Sequence, residues 1–302
     1  MSVLVLAAIR TPLGALGGAL KPLRAPQLGA LVIRAALDRA GLAADAMDEV
    51  VFGCAFQAGM GPNPARQAAL GAGLAPETPA WTLNQLCGSG LMAVAQAARG
   101  LSHGPGRFAV AGGFESHSNA PYLLPSARWG QRMGETELRD CLLDDGPGWF
   151  QDEPIAEFLA RDGEVPADSP GLLPVQVPGR RGPVLVTRDA WTSGPRTGQA
   201  PPADGAAALV LAAESAAGGR QPLGRILGFS SGPRALENLA VQAGLAAREI
   251  HPFPAPDHLL AVGGAPLLVD LLRGLRGEGR RHGSITLASG DGQALSMLLE
   301  LC

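Results

Sequence analysis

The sequence predicts an α/β fold in which strands and helices alternate about a mostly parallel sheet covered on both faces. Three observations carry this. Short apolar runs of strand length recur along the chain, stretches with apolar residues at helical spacing lie between them, and glycines stand where the helices should stop. The residue balance agrees: 46% hydrophobic and 17% charged residues over 302 positions suit a large core and exclude a disordered chain.

Taken in order, Val3 to Ala8 is an apolar run read as a buried strand. Thr11-Pro12 and the glycines at 14, 17 and 18 make a loop that lacks the Lys-Ser/Thr pair of a phosphate-binding loop. Leu28 to Ala40 carries Leu28, Leu31, Val32, Ala35 and Ala36 at helical spacing and stops at Gly41. Strands follow at Glu49–Gly53 and Trp81–Asn84, with a helix at Asn63–Ala72 between them. A small-residue helix begins near Cys87 and runs to Leu101, and Phe108 to Ala111 is a strand ended by Gly112-Gly113. From His117 to Pro202 Pro and Gly are dense. Short helices are expected at Leu138–Leu143 and Ile155–Arg161, and a hairpin joins Val175–Val177 to Val184–Val186. Regular structure resumes with a strand at Ala206–Ala212, another within Pro222–Ser230, a helix at Arg234–Ala243 ended by Gly244, and a helix at Pro266–Arg276. Strands at Ser284–Ala288 and Gln293–Leu301 close the chain, and the first of them with Gly290-Asp291-Gly292 echoes Phe108–Ala111 with Gly112-Gly113.

A net charge of -3 gives no electrostatic reason to expect nucleic acid or an anionic membrane as partner. The cluster Arg273, Arg276, Arg280, Arg281 and His282 reads as a solvated helix end, with a contact to ligand phosphates as the alternative. Cys54, Cys87, Cys141 and Cys302 have no metal-like spacing and fit reduced thiols in the cytoplasm. Neither a secretory signal nor a membrane span is expected.

The chain is organised around Asn84-Gln85-Leu86-Cys87-Gly88-Ser89-Gly90. This is a sharp turn that places a thiol at the first turn of a buried helix, where unpaired N–H groups favour a thiolate. Cys87 by itself reads first as a small core residue. Its surroundings decide otherwise. The turn, Phe108 to Ser116 and Pro121-Tyr122 resemble the thiolase family, as do Ala8-Ile9-Arg10-Thr11-Pro12 and the stretch Gln57 to Gln67. The resemblance is continuous from Val3 to Pro121, patchy to Asp204 and fragmentary to Glu300, and the chain is shorter than is usual for that family.

The resemblance implies a thiolase-like duplicated layered fold (α-β-α-β-α) with an abbreviated loop domain. Residues 1–116 would form the front half, 117–203 a reduced cover and 204–302 a shortened rear half. It also implies an acyltransferase acting on acyl-CoA thioesters, without a further cofactor, and a homodimer paired through the front half. Cys87 matches the nucleophile that becomes acylated. The second cysteine of the family, an acid/base, falls on Ala288, which moves no proton. Gly290 matches the glycine whose N–H faces the acyl oxygen. Counted backward from Leu287, His258 falls on the family's catalytic histidine; counted forward from Gly232-Pro233, it falls within an Asn-Glu-Ala-Phe motif and is not the base. Either count loses the Asn of that motif. Condensation and thiolysis would then be impaired, and the alternative is an inactive thiolase-like protein that binds acyl-CoA or a partner subunit. His103, His117, His251 and His282 read as surface or loop residues, although His117 stands where the family usually carries Met.

Overall fold

The computed structural model describes residues 3–146, 172–180, 182–189, 203–232, 234–253, 264–288 and 293–302. The first strand, β1 (Val3–Arg10), is buried along its whole length. A short β2 (Gly14–Ala15) precedes α1 (Ala25–Ala40), which stops where Gly41 takes a left-handed φ of 62°. Then come β3 (Glu49–Gly53), α2 (Pro64–Ala72), β4 (Ala80–Leu83), α3 (Ser89–His103) and β5 (Phe108–Ser116). Asn63 caps α2 by accepting the Arg66 N–H, at the cost of a left-handed φ of 42°. The expected glycine stop in β5 does not occur. A side chain on Gly112 would overlap the Ala207 carbonyl, so the glycine lets a neighbouring strand approach closely while β5 runs on to Ser116.

The cover region holds the pair β6 (Tyr122–Leu123) and β7 (Arg139–Asp140), then a single helical turn, α4 (Cys141–Asp144). The helix expected at Leu138–Leu143 is therefore half strand, and its start is set by Asp140, whose side chain accepts the Leu142 N–H. The hairpin β8 (Val175–Val177) to β9 (Val184–Val186) forms as expected, and the helix expected at Ile155–Arg161 lies outside the described residues. The remaining elements are β10 (Ala203–Ala213), β11 (Gly224–Ser231), α5 (Ala235–Ala243), β12 (Ile250–Phe253), α6 (Ala265–Glu278), β13 (His282–Ala288) and β14 (Ala294–Leu301). The basic cluster is split rather than gathered at a helix end. Arg280 pairs with Glu278, Arg281 with Glu300, and His282 opens β13.

One sheet runs in the order β12-β13-β14-β11-β1-β10-β5-β3-β4, with β2 on β10. It is mixed, not mostly parallel. Only β3–β4, β3–β5 and β12–β13 are parallel among its pairs. The reason is that β10 and β14 insert antiparallel beside β5 and β13. The order reads as two copies of one pattern back to back. Strands β1, β3, β5 and β10 correspond to β11, β12, β13 and β14, and Val3–Val5 of β1 pairs with Gly224–Ile226 of β11 at the join. Helices α1 and α3 correspond in chain order to α5 and α6. Residues 54–88 between β3 and α3 hold α2, β4 and the Cys87 turn, whereas only residues 254–264 separate β12 from α6.

Strand residues alternate between two cores. Leu4, Leu6, Val50, Phe52, Val110 and Phe114 pack under α1 and α2, while Val3, Val5, Val51, Ala109 and Leu209 face α3 and α6. Ile285, Leu287, Met297 and Leu299 meet the same two helices from the rear half, and α5 covers the outer face through Leu239, Ala240, Ile250 and Leu298. The layers are thus helix, sheet, helix, sheet, helix. At their centre sits Arg10, 1% exposed, whose guanidinium donates to both oxygens of Asp189 at 2.8 and 3.0 Å and to Asp270 of α6 at 3.1 Å. Replacing Arg10 by Met strands the buried Asp189. It should lower the unfolding free energy by about 3–5 kcal/mol in urea titrations. Ser284 of β13 is 1% exposed and its hydroxyl has no hydrogen-bond partner among the described residues. Ser284→Ala should raise stability by about 1 kcal/mol in the same measurement.

Candidate active site

The turn after β4 is bent by its own polar side chains. Leu86 has a left-handed φ of 46°, which only one other non-glycine residue, Asn63, shares among the described residues. Both ends of the Leu86 residue are held. Asn84 Oδ1 accepts the Leu86 N–H at 3.0 Å, and Ser89 Oγ donates to the Leu86 carbonyl at 2.6 Å while accepting the Gln85 N–H at 2.8 Å. A single 3-10 turn, Leu86–Gly88, then delivers Cys87 to the start of α3. The end of β3 fits tightly against that start, since a side chain on Gly53 would overlap the Ser89 and Gly90 backbone.

Cys87 is 1% exposed, is in no disulfide, and packs with Ala55, Phe56, Leu86 and Leu142. The rear half reaches the same turn. Strand β13 packs on Leu86–Gly88, and Gln85 Nε2 donates to Gln293 Oε1 at 2.9 Å. Gly264, which caps α6, lies against Leu287 and Leu91. His258 and Gly290 themselves lie outside the described residues, within the segments 254–263 and 289–292. Ala288 is the last residue of β13, its backbone paired with Ala294.

Two further ionisable groups sit beside Phe56. Glu115, 1% exposed at the end of β5, accepts the Ala55 and Phe56 N–H groups at 3.0 and 3.1 Å and the Cys54 thiol at 3.3 Å. Burial outweighs these bonds and pushes its carboxyl up to about 7. His117 is not at the surface as expected but 2% exposed, because β5 carries the chain inside past Gly112-Gly113. Its ring meets that of Phe56 edge-on with centroids 4.9 Å apart. Nδ1 lies 2.5 Å from the Ala203 carbonyl and 2.9 Å from the Ala203 N–H, so the tautomer decides which bond forms, while Nε2 is buried without a partner among the described residues. Burial lowers the imidazole to about 4, against a carbonyl bond that raises it. Of the other histidines, His103 is exposed as expected and bonds the Arg99 carbonyl, whereas His251 lies in strand β12 rather than a loop, 3.6 Å from Glu278, and His282 is half-buried in β13, 3.7 Å from Glu300.

A family model described as the thiolase N-terminal domain matches residues 3–160, more than half of the chain. The chain belongs to the thiolase family. It is 33% identical to the acetyl-CoA acetyltransferase of Escherichia coli over 387 aligned positions that span 98% of each chain. The enzyme of the same name from Shinella zoogloeoides gives 32% over 389 positions, again 98% of each. Both alignments are longer than this chain of 302 residues, so its missing pieces are internal. The Cupriavidus necator acetyl-CoA acetyltransferase is 49% identical over 144 residues, which is 48% of this chain but only 37% of that enzyme. No helix among the described residues is long and apolar enough to cross a membrane.

Glu115 and His117 give opposite pH dependences. Glu115, raised from 4.5 to about 7, contributes stability that is full below 4.5 and is lost as pH rises through about 7. His117, lowered from 6.5 to about 4, contributes stability that is full above 6.5 and is lost as pH falls toward about 4. His117→Met removes the second effect and exposes the first. The variant should gain about 2 kcal/mol on the native protein between about pH 7 and pH 5, read from unfolding midpoints at both values.

Proposed function

We propose that the chain is a thiolase-type acyltransferase that takes an acyl group from acyl-CoA onto Cys87. The observation that carries this is the braced turn, in which Asn84 and Ser89 hold a left-handed Leu86 so that Cys87 stands in the 3-10 turn just ahead of α3. The names of its relatives, acetyl-CoA acetyltransferase, support the same reading. In the step itself the Cys87 sulfur attacks the thioester carbonyl, a new carbon–sulfur bond forms, and the bond to the CoA sulfur breaks. The thiol proton leaves Cys87 through a base and ends on CoA. His258 is that base in the register that places it on the family's catalytic histidine, and Gly290 matches the family glycine whose N–H serves the acyl oxygen.

Ala288 restricts the fate of the acyl group. Carbon–carbon bond formation needs a proton moved at the α-carbon of a second acyl-CoA, and an alanine at the family's second-cysteine position supplies no group for it. Transfer to a simple thiol or to water needs no such step and is favoured over condensation. A homodimer in the cytoplasm, paired through residues 1–116, belongs to the same reading. It is supported by the front half retaining β1, β3, β4 and β5 with all three of their helices. A second reading, an inactive relative that binds acyl-CoA or a partner subunit, is favoured by Ala288 together with the absence of room for a rear counterpart of α2 and β4.

Incubation with acetyl-CoA, followed by mass spectrometry, separates the two. One acetyl group should appear on Cys87 and be lost in Cys87→Ser. Absence of an adduct over a range of acyl chains overturns the enzyme reading. Ala288→Cys should raise the condensation rate by about a hundredfold or more, the scale of one placed acid/base.

A further inference from the structure

We propose that Glu115 is a positioning residue for Cys87. From the end of β5 it fixes the Ala55–Phe56 peptide groups that wall the sulfur, and its charge governs how readily Cys87 is acylated. This rests on the acyl-transfer reading of Cys87.

The carboxylate is buried, and its partners are two peptide N–H groups and a thiol, none of them a cation. All three donors belong to Cys54–Phe56. That stretch meets the catalytic turn, with Ala55 and Phe56 packed on Cys87. It is also tied to the brace, since Asn84 Nδ2 donates to the Ala55 carbonyl at 3.0 Å while Asn84 Oδ1 holds the Leu86 N–H. Gln57 closes the stretch on itself by donating to the Cys54 carbonyl at 2.9 Å. His117, two residues beyond Glu115, presses its ring on Phe56. One carboxylate therefore reaches Cys87 by two routes, the wall and the turn.

Ionised, Glu115 only accepts, which suits three donors. Protonated, one oxygen carries a hydrogen and an N–H of the wall loses its partner. Burial sets this change at about pH 7. The groups that face it are Cys54 at the end of β3, Asp204 of β10, and His117 on its own chain segment. Burial and the neighbouring Glu115 push the Cys54 thiol well up, and the imidazole sits at about 4, so both stay uncharged near neutrality. Asp204, itself raised by burial, adds to the upward push on Glu115.

The test uses the full chain and Glu115→Gln, which keeps the size and one acceptor but never ionises. Single-turnover acetylation of Cys87 by acetyl-CoA is followed from about pH 5.5 to 8.5. Below pH 7 the logarithm of the native rate should fall more steeply than that of the variant, by one unit per pH unit. At the alkaline end the variant should be slower by about a hundredfold, the scale of a misplaced reacting group. Glu115→Asp keeps the charge and should keep the steeper limb. Profiles of the same shape in native and Glu115→Gln protein overturn the proposal. If Glu115→Gln does not fold, a native profile with no second inflection near pH 7 overturns it equally. If native Cys87 accepts no acetyl group at all, the acyl-transfer reading fails by itself. Iodoacetamide alkylation of Cys87 then carries the comparison: an inflection near pH 7 present in native protein and absent in Glu115→Gln supports Glu115 as the positioning residue, and superimposable profiles sink it.

Discussion

The fold depends on one buried cation. Arg10 ends the first strand in the middle of the molecule and is held by Asp189 from the cover region and by Asp270 from a rear helix. The same Asp189 accepts the Leu13 N–H at 2.7 Å, and the Arg10 carbonyl accepts the Leu173 N–H at 2.7 Å. Three parts of the chain far apart in sequence thus meet at one side chain. A hydrophobic replacement of the whole cluster would cost little free energy. What the ions add is register, since a guanidinium with two oxygens in its fork accepts one arrangement of those parts and few others.

The same device recurs around the thiol. Apolar packing surrounds Cys87, but its placement comes from the polar atoms of Asn84, Ser89 and Glu115, each bonded to backbone. Helix packing alone would leave the turn free to relax toward an ordinary φ at Leu86, a change worth roughly 1–3 kcal/mol. The hydrogen bonds at both ends of that residue oppose the relaxation. The rear half contributes through the Gln85–Gln293 hydrogen bond and by the packing of β13 and Gly264.

Much of this was legible in the sequence because apolar periodicity and glycine stops are local signals. The strands at Val3, Glu49 and Ser284, the helices closed by Gly41 and Gly244, and the Cys87 turn all stand where the pattern places them. Strand direction was not legible, because two inserted antiparallel strands look the same as parallel ones in an apolar run. Gly112-Gly113 misled for a related reason: glycine marks close backbone approach as well as chain termination, and only the partner strand tells which. His117 was misplaced as a consequence. Glu115 went unnoticed although a carboxylate inside the run Phe108–Ser116 was a usable signal, as was Arg10 at the end of Val3–Ile9.

Among the described residues β12 ends the sheet on the rear side, where the front half has β4 outside β3. An end strand presents backbone donors and acceptors to which an extended peptide can add itself. Pro252 stands in that strand, and a proline has no N–H to offer such a guest. That proline makes β12 a poorer template for self-association than an unbroken strand of amide donors would be.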